Sequence, residues 1–405
     1  MHPDKYSFKP LSSIALYIHF PFCRKKCNYC DFFSVTVYDD DSVRRTLKKT
    51  LEQAKYFFSK TGNPSVETVY VGGGTPSLLF GSRLKEFLTS LRRLVAGEPK
   101  EWTFEANPES LSAETIRILI DSGISRISIG LQTFNDGLLK LLGRVGDSAT
   151  NQKTVELVKK LWPGIVNVDL ICGIPQQTVE SLAADLEIVL RYNPDHISFY
   201  DLILEPGTPL SELIRSKTIT DLSEDEKENL WLTGVMLLTA SGYSHYEISN
   251  FARTGKECLH NLKYWEMEPY LGCGPSAVST LPVEEGVVRI ENAAEIGYYI
   301  DNLQNSQSST WELIAPQKFL LEHFIMGLRL QRGITIDKLK RIFSIDPGKV
   351  FAGTFARWEE NEYLACQDNV LKLTEKGRLI LNRLLLDLAT EVEKVGLKTP
   401  LWPLV

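Results

Sequence analysis

The chain has 405 residues, more than one small domain needs and enough for a barrel-sized domain joined to a smaller one. With 43% apolar and 24% charged residues, and 45 basic against 51 acidic side chains, it lacks the basic excess that nucleic acid or an anionic membrane selects as a main partner. No run approaches the ~20 apolar residues of a membrane-spanning helix, residues 1–13 (MHPDKYSFKPLSS) have no apolar leader core, and the seven cysteines, three of them between Cys23 and Cys30, read as a metal site in a reducing cytoplasm, not as a disulfide framework.

In chain order, Ile14–Phe20 (IALYIHF) reads as a strand with Ile14, Leu16, Ile18 and Phe20 on one side. The cysteine loop follows. Arg44–Lys60 reads as a helix, Val66–Val71 as a strand ending at three glycines, and Gly81–Ala96 as a helix whose Leu84, Phe87, Leu88, Leu91 and Leu94 share a face. Trp102–Glu105 is a short strand; Ser112 caps a helix running to Ser122. Then come a strand at Ser125–Gly130, a helix at Thr150–Leu161, a strand at Ile165–Ile171, a helix at Thr178–Tyr192 and a strand at Ile197–Leu204. Six strands interleaved with helices predict parallel β/α units in a partial, open barrel, two units short of a closed one.

Ser223 and Glu226 have capping-box spacing ahead of a helix at Glu224–Ser241. A less regular region runs to about Gln307, with a polar linker expected at Asn302–Ser309. Helices are expected at Pro316–Leu330, Ile336–Phe343, Gly348–Glu360 and Glu375–Leu388, with a hairpin of Tyr363–Ala365 and Val370–Leu373 around Asp368-Asn369. The expected division is 1–222 for the barrel, 223–307 for a barrel extension and connecting region, and 308–405 for a winged-helix-like helical domain. Basic and acidic residues nearly balance in that last segment, so it is expected to pack over the barrel mouth and not to bind nucleic acid.

Two motifs carry chemistry. Cys23, Cys27 and Cys30 form C-x3-C-x2-C directly after a strand. Three thiolates suit an iron–sulfur cube with one iron left open, or a zinc site whose fourth ligand would be His19. One β/α unit later, Gly72-Gly73-Gly74-Thr75-Pro76 ends the second strand, where glycine lets the backbone approach a ligand and where ligands sit in such folds.

Together these motifs resemble the radical S-adenosylmethionine (SAM) family, in the branch that holds the anaerobic coproporphyrinogen III oxidases and a group of haem chaperones. The matching segments are YIHFPFCRKKCNYCDF (17–32), YVGGGTP (70–76), FEANPE (104–109), SRISIGLQTFN (125–135), LGR (142–144), NVDLICGIP (167–175), NPDHISFY (193–200), LEPGTP (204–209) and HNLKYW (260–265). The resemblance implies an α/β fold, a partial (β/α)6 radical SAM barrel. It implies a [4Fe–4S] cluster on Cys23, Cys27 and Cys30, with SAM held at the open iron. Tyr17, Gly73 and Glu105 match residues around that SAM. Tyr29, Gly74, Thr75, Gln132, Arg144 and Asp169 match residues lining the rest of the cavity.

Within the branch, Phe32 stands where the oxidases carry a fourth cysteine, and HNLKYW matches the H-N-x-x-Y-W of the chaperone side. The resemblance therefore implies haem as cargo, passed to an apo-protein acceptor, with SAM machinery present but no oxidase turnover expected. The alternative is an oxygen-independent coproporphyrinogen III oxidase. His260 is a candidate haem ligand, imidazole being a common axial ligand; otherwise it is a histidine held structurally by Asn261 or Trp265. Leu271–Ala277 (LGCGPSA) departs from the chaperones' glycine- and alanine-rich run at Cys273 and Pro275. Cys273 reads as a small buried residue. A cytoplasmic location is expected, with peripheral membrane contact left open.

Overall fold

The computed structural model describes residues 6–95, 97–302 and 308–403. The six strands expected from the alternation are β1 (Ser13–Phe20), β2 (Ser65–Gly73), β3 (Glu101–Ala106), β4 (Arg126–Gln132), β5 (Ile165–Cys172) and β6 (His196–Asp201). They pair in chain order and in parallel. The helices between them begin where side chains take up free backbone donors: Asp39 accepts from Ser42 N, Ser112 from Thr115 N, Asp147 from Thr150 N and Thr178 from Ser181 N. Two of these caps start helices earlier than the apolar periodicity suggests, at Asp40 and at Ser148.

The period-two alternation of the strands sorts two faces. Leu16, Ile18, Phe20, Trp102, Phe104, Ile127, Ile129, Val168, Leu170, Ile197 and Phe199 are buried in the main apolar core. The opposite phase is polar: Tyr17 and His19 on β1, Thr103 and Glu105 on β3, Arg126 and Ser128 on β4, Asn167 and Asp169 on β5, His196 and Ser198 on β6. A closed parallel barrel fills its interior with branched apolar side chains. The polar inner face here is instead built around a cavity.

The segment expected to be less regular adds strands at both edges. β7 (Ser244–His245) and β8 (Asn250–Ala252) continue antiparallel from β6. β9 (Tyr270–Cys273) pairs in parallel with β1, and β10 (Val278–Val283), β11 (Gly286–Asn292) and β12 (Ser309–Leu313) continue from it antiparallel. The result is one twelve-stranded sheet in the order β12-β11-β10-β9-β1-β2-β3-β4-β5-β6-β8-β7. Gly272 and Pro282 interrupt the apolar pattern of these short strands and hide them from a periodicity search. Cys273 is fully buried there, as a core thiol.

Residues 303–307, the middle of the expected linker, lie outside the described residues. Beyond them, helices run at Pro316–Gly327, Ile336–Phe343, Pro347–Val350, Ala352–Glu360, Glu375–Leu379 and Leu381–Val392. A small sheet orders β13 (Ile334–Thr335), β15 (Val370–Leu373) and β14 (Leu364–Gln367), with β15 in the middle. Asp368 and Asn369 make its hairpin turn, both at positive φ (49° and 67°), as a two-residue turn demands. This unit has its own core, including Phe319, Phe324, Phe351, Phe355 and Trp358, which also takes in Met267 and Val287 from the sheet side. Trp402 Nε1 donates to Met267 O at 2.8 Å. Among the described residues no helix is long and apolar enough to cross a membrane.

Candidate functional site

The loop after β1 is held closed by its own backbone. Cys23 N donates to Val35 O at 2.9 Å and Val35 N to Pro21 O at 2.7 Å. Asn28 ties the loop to the segment after β4, through Asn28 N to Leu142 O at 2.8 Å and Asn28 Nδ2 to Leu141 O at 2.8 Å. Gly143 adopts φ +74° against Asn28, where a Cβ would lie 2.8 Å from its side chain, so only glycine fits. Arg144 follows and turns back: it donates to Gly130 O at 2.8 Å and to Asn107 Oδ1 at 3.1 Å, and its Nη1 lies 3.7 Å from Cys27 Sγ. Thr75 Oγ1 lies 3.5 Å from Cys23 Sγ.

These contacts gather the three cysteines on one cavity of about 330 Å³. Tyr29, Gly73, Gly74, Thr75, Glu105, Gln132, Arg144 and Asp169 line it too. Tyr17 and His260 do not. Of the other four cysteines, Cys172, Cys258 and Cys273 are in the core and Cys366 is exposed. Burial pushes the Cys30 thiol up to about 11 and raises that of Cys23, while the Thr75 hydroxyl and Arg144 stand by to stabilise thiolates. Three thiols on one wall, and no fourth cysteine there, fit an iron–sulfur cube with one iron open. His19 does not fit the zinc alternative: its Nδ1 is 3.0 Å from Tyr17 Oη and its Nε2 3.0 Å from Phe33 O. Among the described residues no three His, Cys, Asp or Glu side chains converge as for a single metal ion.

On the wall of the same cavity, Glu105 accepts from Tyr70 Oη at 2.6 Å and from Gly73 N at 3.0 Å. Burial lifts its pKa to about 7, against those two bonds and with a further push from Asp169. An ammonium placed beside it would favour the carboxylate. Gly73 sits at φ +108°, and a Cβ there would come within 2.5 Å of the His19 ring. The protein's own packing thus requires glycine here, in addition to any close approach of a ligand to the bare backbone. Tyr17, which does not line the cavity, is tied to His19. Asp169 is held by Ser128 Oγ at 3.2 Å and Asn167 Nδ2 at 2.8 Å. Gln132 takes φ +67° at a register shift between β4 and β5, which returns its side chain to the cavity. Asn107 and Tyr70, which the motif reading did not single out, hold Arg144 and Glu105 in place. Both lie inside quoted segments.

His260 needs a correction. It is 1% exposed, with Nδ1 2.9 Å from Thr68 Oγ1 and Nε2 2.9 Å from Tyr264 Oη. Neither nitrogen is open to a haem iron, and its partners are not Asn261 or Trp265. Its backbone N, with Leu259 N, donates to Glu101 (3.0 and 3.2 Å), so Glu101 secures the start of the short helix Leu259–Trp265. The motif histidine positions Tyr264. Burial lowers its pKa from 6.5 to about 3. A depressed histidine stabilises the fold fully above its unfolded value and loses that contribution as pH falls. Native stability is therefore expected to drop by about 1.4 kcal/mol per pH unit below 6.5 on this residue's account. His260→Gln should remove that slope in urea titrations between pH 6.5 and 4, and should leave the haem absorption spectrum unchanged.

Tyr264 and Trp265 border a second cavity of about 930 Å³ between the sheet and the helix Pro316–Gly327. Its walls include Tyr270, Ile325, Met326 and Trp402. Phe32 and Tyr200 line both cavities. Phe32 is 70% exposed, an apolar ring facing open space at their common rim.

The family described as "Radical SAM superfamily" matches residues 17–189, and "HemN C-terminal domain" matches 314–380. The haem chaperone HemW of Escherichia coli is 37% identical over 321 residues, covering 78% of this chain and 83% of that protein. HemW of Lactococcus lactis is 31% identical over 364 residues (90% and 94%). The mouse radical S-adenosyl methionine domain-containing protein 1, mitochondrial, is 31% identical over 405 residues (96% and 90%). The solved structure of coproporphyrinogen III oxidase (HemN) from Escherichia coli superposes with a TM-score of 0.79 over 95% of this chain and 91% of that one, at 22% identity, a likeness of fold. Matched at this level over nearly the whole length of its relatives, the chain belongs to the radical SAM superfamily and, within it, to the HemW family.

Proposed function

We propose that this protein is a cytoplasmic haem chaperone that carries a [4Fe–4S] cluster on Cys23, Cys27 and Cys30, binds SAM at the cluster and passes haem to an acceptor apo-protein. The observation that carries this reading is the pair of cavities meeting at Phe32 and Tyr200: a polar one bearing three thiols, and a larger, mostly aromatic and aliphatic one beside it. A haem macrocycle is a large apolar plate, and such ligands sit in apolar clefts with few polar anchors. When bound, the cluster would supply an open iron able to chelate the amino and carboxylate groups of SAM. Glu105, a buried carboxyl raised above its ordinary range by desolvation, is suited to meet an ammonium. Asp169, Gln132 and Arg144 offer acceptors and donors for hydroxyl and carboxylate groups. Tyr264, Trp265 and Tyr270 supply aromatic walls for haem.

The barrel segment 1–222 and the extension 223–307 supply the floor of the haem cavity in this reading, and 308–405 closes it from above. The second reading, coproporphyrinogen oxidase, rests on the shared fold. It is disfavoured by Phe32 standing where the oxidases have cysteine. Anaerobically reconstituted protein is expected to bind haem with a new Soret band and to leave coproporphyrinogen III unconverted. Decarboxylation to protoporphyrinogen IX at many turnovers per enzyme would overturn the chaperone reading in favour of the oxidase.

A further inference from the structure

Five charged side chains reach the wall of the 930 Å³ cavity, and four of them are already engaged within the protein. Arg289 makes a two-bond pair with Glu322 at 2.8 and 2.9 Å. Glu268 accepts from Lys338 Nζ at 2.8 Å. Glu247 is buried and accepts from Ser249 N at 2.9 Å and from Asn250 Nδ2. Arg329 is the fifth. It lies just beyond the helix Pro316–Gly327, half-buried, with its guanidinium 5.9 Å from the centre of the Trp265 ring. Among the described residues it forms no ion pair with a carboxylate. Burial pushes its pKa down, with Glu247 pulling the other way. A half-buried guanidinium to which no carboxylate is bonded has donors to offer, and a planar fork of donors is best matched by a carboxylate.

We infer that Arg329 anchors the cargo of this cavity by a carboxylate, and that the ligand class is a flat apolar ring with its acids gathered on one edge. This rests on the haem reading above and goes further, by assigning the orientation: haem propionates toward Arg329 and the apolar edge of the macrocycle toward Phe32 and Tyr200. With Arg289 paired to Glu322 and Glu268 to Lys338, Arg329 is the one guanidinium of this wall without an ion pair among the described residues, and a single such anchor also favours a ring with propionates on one edge over coproporphyrinogen, whose acids surround the macrocycle.

The test compares iron protoporphyrin IX with its dimethyl ester, which keeps the ring and iron but has no carboxylate, on the full chain with its cluster assembled. Unaltered protein should bind the acid at least about tenfold more tightly than the ester, the worth of one charge-assisted hydrogen bond. Arg329→Gln should weaken binding of the acid by the same factor and leave the ester unchanged. Arg329→Lys should recover part of the loss. Equal weakening of acid and ester would make Arg329 a packing residue, and no weakening of either would place the propionates elsewhere. Both outcomes overturn the anchor while haem binding by the unaltered chain stands. An unaltered chain that binds neither porphyrin overturns the haem reading itself, and the anchor with it.

Discussion

Replacing Cys23, Cys27 or Cys30 by alanine is expected to abolish cluster assembly. Reconstituted anaerobically with iron and sulfide, the unaltered chain should hold about four irons and four sulfides, because three thiolates on one cavity wall match a cube with one open iron. The remaining four cysteines are elsewhere: Cys172, Cys258 and Cys273 within the core, Cys366 on an exposed hairpin strand. No spare ligand can slide in. Alanine at any of those four positions should leave iron content and the broad visible absorption unchanged; alanine at 172, 258 or 273 should cost only packing. Iron and sulfide analysis with electron paramagnetic resonance of the reduced protein decides the matter. A cluster surviving the Cys27→Ala change, or lost on Cys258→Ala in folded protein, would contradict the three-thiolate assignment.

The second large effect is on stability and lies away from the cysteines. Arg126 and Glu101 are paired at 2.8 Å with side chains 2% and 3% exposed. Arg126 also donates to the carbonyls of Lys256 and Glu257 at 2.7 and 2.8 Å, and Glu101 accepts the backbone donors that begin Leu259–Trp265. The pair clamps the HNLKYW segment to β3 and β4. Arg126→Met leaves a buried carboxylate without its partner and is expected to destabilise the protein by about 3–5 kcal/mol. The double change Arg126→Met with Glu101→Leu should recover most of that stability, since a buried pair replaced whole by apolar residues is often near neutral. It should not recover haem affinity, because the segment carrying Tyr264 and Trp265 has lost its anchor. Urea unfolding and haem titration on the same three proteins separate the two effects. Equal stabilities for Arg126→Met and the unaltered chain would rule the clamp out.

Much of this molecule is legible before any fold is known, and the legible parts are local. The interleaved strand and helix patterns identify the six parallel units because each is written in a dozen neighbouring residues. The Asp368-Asn369 hairpin and the Ser112 and Ser223 caps are local too: a cap is a side chain meeting a backbone donor three residues on. The cysteine spacing belongs to the same class, since one loop supplies all three thiols.

What the tertiary structure decided depends on partners far away in sequence. His260 carries the same letters whether it faces an iron or a threonine, and Thr68 is 192 residues distant. The requirement for glycine at 73 comes from the His19 ring, on a neighbouring strand. β9 joins β1 in parallel across some 250 residues, through strands too short and too interrupted by glycine and proline to show a period. Arg289 and Arg329 look alike in sequence, yet only one meets a carboxylate once the helix at 316–327 packs over the sheet. Sequence pattern by itself determined the fold class and the cluster motif, because backbone preference and ligand spacing act over a few residues. The free energy of a buried polar group is set by whichever atom finally stands beside it, so the tertiary fold alone decided which side chains are struts and which remain open to a ligand.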